Sequence, residues 1–402
     1  MRIISLDNLL ATFVVVAVLK FLPIIFTIDF LDPIQNTIQD FNTSDVVCSQ
    51  FRENDKVKTD TNVVLVNIGD LNRAQLAAEI EILNQYCPKT IGIDTFFRKL
   101  KPDNPAGDSA LANAFSKVKS LVLVSKMEYN KEKEQFVSLT KTHPFFSQYA
   151  SSGFANLPIG EDEFRTARTF YTKENIKGHT EYYIGIKLAY LYDSLKAKSF
   201  IERNNVTEII NFRRNITNGT YLAIDPSEIF EHSPKLEKIR GKIVLIGYLG
   251  PDLKTLCTED VFYTPMNHNY LGKTYPDMYG VVVHANAISM ILNKDYINTI
   301  PDWFKLTLTF IIIFLNMALF DSIKHRFLFV YETASVFIIA GELISMFAIM
   351  MFVFYNFDFE VGLREATIFG ILMSATGFEI YHGSLKPLVI NTWEKYRVKP
   401  VK

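Results

Sequence analysis

Four long apolar runs, one near the start of the chain and three near its end, flank a middle part of mixed polarity. The runs cover residues 9–28, 303–320, 328–355 and, with weaker apolar character, 366–381. A helix needs about 20 apolar residues to cross a bilayer core that is ~30 Å thick. The pattern therefore predicts four transmembrane helices, one N-terminal and three C-terminal.

The first apolar run has the character of an uncleaved membrane anchor. Only Lys20 and Pro23 interrupt it, and no Ala-x-Ala pattern or lipobox cysteine follows it. A cleavable signal peptide has a shorter apolar stretch that ends at a small-residue cleavage site. We expect an anchor, with a signal peptide as the alternative.

The charges of the short links orient these helices. The link 321–326 and the tail after residue 381 are rich in Lys and Arg, whereas the link 356–360 is acidic. Short basic loops stay in the cytoplasm. Both termini are therefore expected in the cytoplasm and the large middle part outside. The predicted organisation is an anchor (1–30), an extracytoplasmic domain (31–300), three transmembrane helices (301–381) and a cytoplasmic tail (382–402).

The middle part has the pattern of an α/β domain. Short apolar runs of strand length alternate with segments whose apolar residues recur at helical spacing. Near-continuous apolar strands between amphipathic helices indicate a mostly parallel sheet covered by helices on both faces. The predicted strands are 63–68, 89–94, 121–124 and 241–247, and the predicted helices are 72–86, 111–118, 182–192 and 283–292.

Net charge limits the class of binding partner, and the positions of the cysteines limit which disulfide can form. The net charge is −1 and the chain has no basic stripe, which argues against nucleic acid as a partner. Membrane lipid is the partner that the apolar runs imply. Of the three cysteines, Cys48 and Cys257 lie in polar surroundings and are the preferred disulfide pair, whereas Cys87 is expected to be a small buried residue. Three free thiols are the alternative.

Three blocks of the middle part carry a resemblance to a known family. The blocks are 64–70 with 88–97, 108–115 with 121–124, and 240–247 with 263–266 and 279–288. Together they resemble the CHASE sensory domain of type two (cyclase- and histidine-kinase-associated, extracellular). The resemblance covers about residues 35–300, and the arrangement of one plus three membrane helices is also similar to that family.

The resemblance implies a place and a role. Such domains usually lie outside the bacterial inner membrane and regulate a cytoplasmic cyclase or kinase in the same chain. Only about twenty residues follow Tyr381 here, too few for such an output domain. We therefore expect a multi-pass inner-membrane protein with a periplasmic sensory domain that signals through a separate signalling or envelope protein. A structural or scaffolding subunit of an envelope complex is the alternative.

A ligand crevice is predicted where parallel strands end, because open α/β sheets bind ligands beyond the carboxyl ends of their strands. Each residue also has a structural alternative: Asp70 as a helix cap, Asp94 as a partner of Arg98, and the glycines as turn residues. The candidate ligand-binding residues are Asp70, Asp94, Gly247, Gly250 and Asp252.

No pattern in the chain supports an enzyme. The seven histidines are scattered without metal-ligand spacing, and no nucleophile elbow, zinc-protease or Walker motif occurs. We therefore predict no catalytic residue, metal or cofactor. His284 and Asn286 are expected to cap a helix or to form polar bonds in the core. Arg165 and Arg168 are candidates for an anion contact or for a solvated edge.

Two charged residues fall near the middle of predicted transmembrane helices, Lys20 in the first and Glu342 in the third. A charge at mid-bilayer costs about 2.5–3.5 kcal/mol on insertion scales, so it is usually paired. We predict a Lys20–Glu342 ion pair that joins the first helix to the later ones. The alternatives are Lys20 extending to the interface, and a protonated Glu342 bonded to Asn316 or to a partner subunit.

Overall fold

A computed structural model describes residues 5–25, 42–52, 57–158, 166–255, 257–268, 275–363 and 365–397 of the 402. The chain forms two compact units. The α/β unit is Asp40–Ile297, and the helical unit combines Met1–Gln39 with Asn298–Lys402. Residue 165 and the segment 26–41, which contains the end of the predicted anchor, lie outside the described residues.

The structure describes fifteen strands, of which seven form one sheet of the α/β unit and the other eight form four two-stranded sheets. They are β1 (Val63–Asn67), β2 (Thr90–Ile93), β3 (Leu121–Asn130), β4 (Gln135–Thr140), β5 (Ser151–Phe154), β6 (Thr169–Tyr171), β7 (Lys173–Ile176), β8 (His179–Tyr182), β9 (Thr207–Ile209), β10 (Leu222–Ile224), β11 (Ile243–Gly247), β12 (Val261–Phe262), β13 (Met278–Tyr279), β14 (Asn298–Thr299) and β15 (Phe359–Glu360).

The described helices are distributed over both units. They are α1 (Leu6–Ile25), α2 (Thr43–Val46), α3 (Arg73–Gln85), α4 (Pro105–Lys117), α5 (Pro144–Ser147), α6 (Ile184–Tyr192), α7 (Ser194–Ile201), α8 (Pro226–Phe230), α9 (Gly280–Asn293), α10 (Asp302–Arg326), α11 (Tyr331–Phe357), α12 (Glu365–Ile380) and α13 (Lys386–Arg397). A π-helical turn, Val47–Phe51, continues α2, and another, Tyr381–Leu385, joins α12 to α13.

The main sheet is mostly parallel, as predicted. Its order is β10-β1-β11-β2-β3, with β5 parallel to the first half of β3 and β4 antiparallel to the second half. Along β1, Val63 and Leu65 belong to one hydrophobic core while Val64 and Val66 belong to another. Side chains alternate between the faces of a strand, so a strand that is apolar throughout must be covered on both sides.

Helices cover both faces of this sheet. One core contains residues of α6, α7 and α9, and the other contains residues of α3 and α4. The close approach of helix to strand depends on small residues. A Cβ at Gly92 of β2 would lie 2.6 Å from Leu188 of α6, and one at Gly247 of β11 would lie 2.7 Å from Val281 of α9. Glu79 of α3 is fully buried against the second core.

The helical unit is held by packing among α1, α10 and α12. Ala11 and Val15 of α1 meet Ile313 and Met317 of α10 and Phe378 of α12 in one buried cluster. Helices in a membrane associate through close van der Waals packing and hydrogen bonds because lipid is as apolar as their side chains. Two helices, α10 and α11, are long and apolar enough to span a membrane by length and composition. The crossings predicted at α1 and α12 stay predictions.

The predicted ion pair between Lys20 and Glu342 does not form. Lys20 is exposed on α1, and Glu342 of α11 instead accepts a hydrogen bond from Asn316 Nδ2 of α10 at 2.8 Å. Asn316 Nδ2 also lies 3.4 Å from Ser374 Oγ of α12. The prediction was wrong because α1 packs mainly against α10 and α12, while the Glu342 side chain lies against Asn316 of α10. The alternative bond between Glu342 and Asn316 is the one observed.

The predicted disulfide is also absent, since all three cysteines are free. Cys48 is buried in the π-helical turn after α2, whereas Cys257 is partly exposed with its Sγ 3.5 Å from the Tyr248 hydroxyl. Cys87 is exposed rather than buried, because it ends α3 in a left-handed turn with φ of 53°. Polar surroundings in the sequence did not bring Cys48 and Cys257 together in space.

Candidate functional site

The carboxyl ends of β1, β10 and β11 are joined by one buried amide. Asn67, the last residue of β1, donates from Nδ2 to Asp225 Oδ1 and to the Gly250 carbonyl, both at 3.0 Å. Its Oδ1 accepts from the amides of Gly69 at 3.0 Å and Leu249 at 2.9 Å. All the hydrogen-bonding capacity of this amide is thus used to fix the loops that follow three strands.

The glycines of the predicted crevice have clear packing roles. Gly247 lets α9 lie directly on β11, as the near contact with Val281 requires. Gly250 has φ of 94°, and a Cβ there would meet the Tyr279 hydroxyl at 2.9 Å. A left-handed backbone and a close approach both favour glycine. A ligand role for these two residues stays a prediction.

Asp70 and Asp252, the other acidic residues of the predicted crevice, take no part in the hydrogen bonds around Asn67. Asp70 is exposed, and Asn72 rather than Asp70 caps α3 through bonds to the amides of Ala74 and Gln75. Asp252 stabilises its own turn, because its Oδ1 accepts hydrogen bonds from the backbone amides of Lys254 and Thr255. These bonds also lower the pKa of its carboxyl. Their ligand role also stays a prediction.

Asp94 is the predicted site residue that lies in a buried titratable cluster. It follows β2 directly, and its Oδ2 lies 3.4 Å from Nε2 of His284 in the second turn of α9. On the other side of the imidazole, Nδ1 is hydrogen-bonded to the hydroxyl of Tyr183, the residue before α6. Asp94, His284 and Tyr183 form what we call the Asp–His–Tyr cluster. The alternative partner Arg98 lies instead over the ring of Phe96.

Burial sets the charge state of the Asp–His–Tyr cluster. It raises the pKa of Asp94 to about 6 and lowers the pKa of His284 to about 4. It also raises the pKa of Tyr183 well above its usual value. At neutral pH the imidazole is therefore uncharged, with Nδ1 accepting from Tyr183 and the protonated Nε2 facing Asp94. The Asp94 side chain is 13% exposed, whereas that of His284 is 4% exposed.

A second carboxyl lies close by. Burial of its side chain and the charge of Asp94 raise the pKa of Asp260 to about 6. Although the residue as a whole is exposed, its carboxylate lies against Gly280 at the start of α9. Asp94 and Asp260 thus offer two acceptors for a proton or for a hydrogen-bond donor of a ligand.

Other polar candidates from the sequence have structural partners. Arg168 forms a bidentate ion pair with Asp45, with Nε to Oδ1 at 3.0 Å and Nη2 to Oδ2 at 2.6 Å. Asn286 accepts at Oδ1 from the amides of Arg213 and Arg214, as expected of a core polar residue. Within the part of the chain that the structure describes, no group of three His, Cys, Asp or Glu side chains is placed to hold a metal ion.

Sequence reasoning missed Asn67, Tyr183 and Asp260. Asn67 stands inside an apolar run and looked like a strand residue, although a polar side chain at the end of a buried strand was a usable signal. Tyr183 and Asp260 carry no local signal, because they reach Asp94 and His284 only through the packing of α6 and α9.

No curated protein and no solved structure matches this chain. A family model described as "CHASE2 domain" matches residues 14–319, which is more than half of the chain.

Proposed function

Since this chain belongs to the CHASE2 domain family, we propose that it is a bacterial inner-membrane sensory protein that acts through a separate partner protein. CHASE2 domains are extracellular sensory domains. The α/β unit is the input domain of this proposal, and the helical unit is the part that holds it at the membrane. The family match is the observation that carries it.

The Asp–His–Tyr cluster supports an input role for the α/β unit. A solvent-accessible carboxyl with a raised pKa, backed by a buried neutral histidine, is the type of group whose state changes on proton or ligand binding. It lies where α9 and α6 meet the carboxyl end of β2. A change of charge at Asp94 therefore acts on two helices that cover one face of the sheet.

Contacts within the helical unit support the proposed topology. Asp7, near the start of α1, accepts hydrogen bonds from Tyr381 at 3.0 Å and Lys386 at 2.7 Å, after α12. Lys324 near the end of α10 pairs with Glu379 near the end of α12 at 2.7 Å. The start of α1 and the ends of α10 and α12 therefore share one side of the unit, as a cytoplasmic N-terminus, basic link and tail require.

Labelling of the exposed thiol of Cys87 tests the topology. Spheroplasts that contain the full chain are treated with a membrane-impermeant maleimide, and the labelled peptides are identified by mass spectrometry. We expect Cys87 to be labelled before lysis. In the His325→Cys variant, residue 325 of the basic link should be labelled only after lysis, because its 80% exposed side chain faces the cytoplasm. Labelling of Cys87 only after lysis would overturn the proposed placement.

Purification of the full chain in mild detergent tests the signalling role. We expect a kinase or cyclase to co-purify, in an amount that changes in the Asp94→Asn variant. The Asp70→Asn variant is the matched control, because Asp70 is an exposed carboxyl after a neighbouring strand. Structural envelope proteins in fixed ratio, with no response to Asp94→Asn, would contradict sensing.

One observation favours the scaffold as a second candidate function. An open groove of about 850 Å³ lies beside the edge strand β10. Its basic lining residues are Lys235, Lys238, Arg240 and Lys242. An edge strand with a free side can pair with an extended segment of another protein. Charge reversal at Lys238 and Lys242 should release an envelope partner if the protein is a scaffold and leave a cytoplasmic partner bound if it is a sensor.

A further inference from the structure

The last described helix, α13, has one apolar and one polar face. Its apolar residues recur at positions i, i+3, i+4 and i+8, a spacing that places side chains on the same face of a helix. The polar residues Asn391 and Glu394 are exposed on the opposite face, and Ile390 is an exposed apolar residue outside the apolar one. What we call the α13 face consists of Leu385, Leu388, Val389 and Trp393.

No element in the described part of the chain covers the α13 face. Trp393 is 69% exposed, Leu388 is 64% exposed and Val389 is 63% exposed. Scattered apolar residues are common on protein surfaces, but a contiguous exposed patch marks a surface that binds another molecule or a membrane. The α13 face is such a patch.

Hydrogen bonds hold the start of α13 beside the start of α1. Asp7, in the first turn of α1, accepts from the Tyr381 hydroxyl at 3.0 Å and from Lys386 Nζ at 2.7 Å. Tyr381 begins the π-helical turn that joins α12 to α13, and Lys386 directly follows that turn. The helix α13 therefore begins at the level where α1 begins, and in the proposed topology this level is the cytoplasmic surface of the membrane.

The junction between α12 and α13 has the features that bend a helix. Its π-helical turn contains the pair Gly383-Ser384, and Pro387 is the second residue of α13. Sharp kinks in helices occur at π-bulges, at Gly/Ser pairs and at proline. All three features coincide here, so α13 can leave the axis of α12 and lie along the membrane surface.

The charge and the length of this segment favour lipid as the molecule that covers the α13 face. Residues 382–402 contain five Lys or Arg residues and one acidic residue, Glu394. The cytoplasmic leaflet is anionic and attracts basic segments next to a membrane helix. A second copy of the helix is a poorer fit, because α13 has 12 residues, which is less than two heptads, whereas a coiled coil needs about three to four.

We propose that α13 lies in the surface of the cytoplasmic leaflet and binds anionic phospholipid, with the α13 face inserted among the acyl chains. Tryptophan is suited to this position, since its ring is apolar and its N–H can meet the headgroups. This inference rests on the proposed function for the choice of leaflet. It assigns the end of the described chain to the bilayer surface rather than to the partner protein.

Tryptophan fluorescence of the full chain in lipid vesicles tests the proposal. The Trp303→Phe variant leaves Trp393 as the single tryptophan, because the chain contains two. The protein is reconstituted into vesicles of phosphatidylethanolamine and phosphatidylglycerol with or without brominated acyl chains. Bromine near the headgroup end of the chains should quench about half of the Trp393 emission, because the apolar face of such a helix inserts ~5–10 Å. Bromine at the far end of the chains should quench less.

Two further variants in the same background separate lipid contact from a general effect of charge. Leu388→Glu places a carboxylate on the α13 face, so the quenching should fall at least about twofold. Asn391→Glu adds the same charge on the opposite, exposed face and should be quenched as the parent is. The quenching of the parent decides the proposal even if Leu388→Glu does not fold.

Two outcomes would overturn the proposal. The first is Trp393 emission that brominated lipid does not quench, whether the indole is in water or is covered by a second copy of the chain or by another protein. The second is equal quenching in Leu388→Glu and Asn391→Glu. Quenching does not depend on which leaflet holds the helix, and Cys87 labelling does not depend on Trp393. The two experiments therefore decide the lipid contact and the proposed topology separately.

Discussion

At the scale of single residues, the α/β unit contains ionisable groups whose pKa values burial shifts in opposite directions. His284 has a lowered pKa, and Asp94 has a raised one, although they are only 3.4 Å apart. The unfolded chain binds a proton at His284 more tightly than the folded one, and the reverse holds at Asp94. The two effects on stability therefore oppose each other between about pH 6.5 and pH 4.

Substitutions at these two positions should change the pH dependence of stability in opposite senses. In His284→Gln, the loss of stability on acidification from pH 6.5 to about 4 disappears, so stability relative to the parent rises as pH falls. In Asp94→Asn, the gain on acidification below about pH 6 disappears, so relative stability falls. Each change amounts to about 3 kcal/mol at most, at about 1.4 kcal/mol per pKa unit. Thermal unfolding at several pH values measures both slopes, and equal slopes in both variants would contradict this account.

Glu79 gives a second pH prediction. Burial raises its pKa to about 8, and neither of its carboxylate oxygens has a partner among the described residues. The folded state binds this proton more tightly, so the free energy of unfolding falls as pH rises from about 4.5 to about 8. Glu79→Gln should remove a few kcal/mol of that fall. Glu81→Gln, at an exposed position of α3 paired with Lys117, should leave the slope unchanged in the same melting experiment.

At the scale of secondary-structure elements, the spacing between α9 and the sheet is set by Gly247. A methyl group there would lie 2.7 Å from the Cβ of Val281, so the helix has to move outward. Because the same helix carries His284, this packing also fixes one side of the Asp–His–Tyr cluster.

Gly247→Ala should therefore destabilise the α/β unit by about 1–3 kcal/mol, as overpacking of a core does. Val281→Ala alone leaves a cavity and should also destabilise it. The double variant should lose less than the sum of the two, because each change relieves the other. Unfolding free energies of the three variants measure this coupling, and simple additivity would show that the two residues do not clash.

In the helical unit, the hydrogen bond from Asn316 to Glu342 can be tested with a second pair of single and double variants. Asn316→Leu leaves Glu342 without its donor among apolar helices, and this should lower the melting temperature. Asn316→Leu with Glu342→Leu should recover most of the loss. Fluorescence of the two tryptophans, Trp303 and Trp393, reports on this unit alone. No effect of the single variant would show that the bond contributes little.

These elements also show what the sequence could predict. The strands at 63–68 and 241–247 and their parallel pairing followed from apolar runs, because a strand covered on both faces has to be apolar throughout. Asp94 was identified by its place after a strand. Its partners were not, since His284 and Tyr183 are 190 and 89 residues further along and meet it only when α9 and α6 pack on the sheet. The predicted ion pair between Lys20 and Glu342 was wrong for the same reason. Their positions along two helices could be read from the sequence, but the packing of those helices against each other could not.

At the scale of the whole molecule, the α/β unit depends on its cores rather than on covalent links. Asp40–Ile297 is long enough to bury two hydrophobic cores, one on each face of its sheet. A domain of this size needs no disulfide for stability.

The three thiols should therefore be titratable without reduction. Alkylation of the denatured full chain in the absence of reductant should add three groups, and reductant should leave the melting temperature unchanged. Mass spectrometry of the intact protein counts the adducts. Addition of only one group would show that two cysteines form a disulfide after all.

The short parallel pair of β14 with β15 has a mechanical consequence. Asn298–Thr299, at the exit from the sensory domain, is hydrogen-bonded in register to Phe359–Glu360, in the link between the second and third of the late helices. The helix α10 follows β14, and β15 lies between α11 and α12. A force on β14 therefore acts on all three helices. A displacement of residues 298–299 would thus involve three helices together instead of α10 alone.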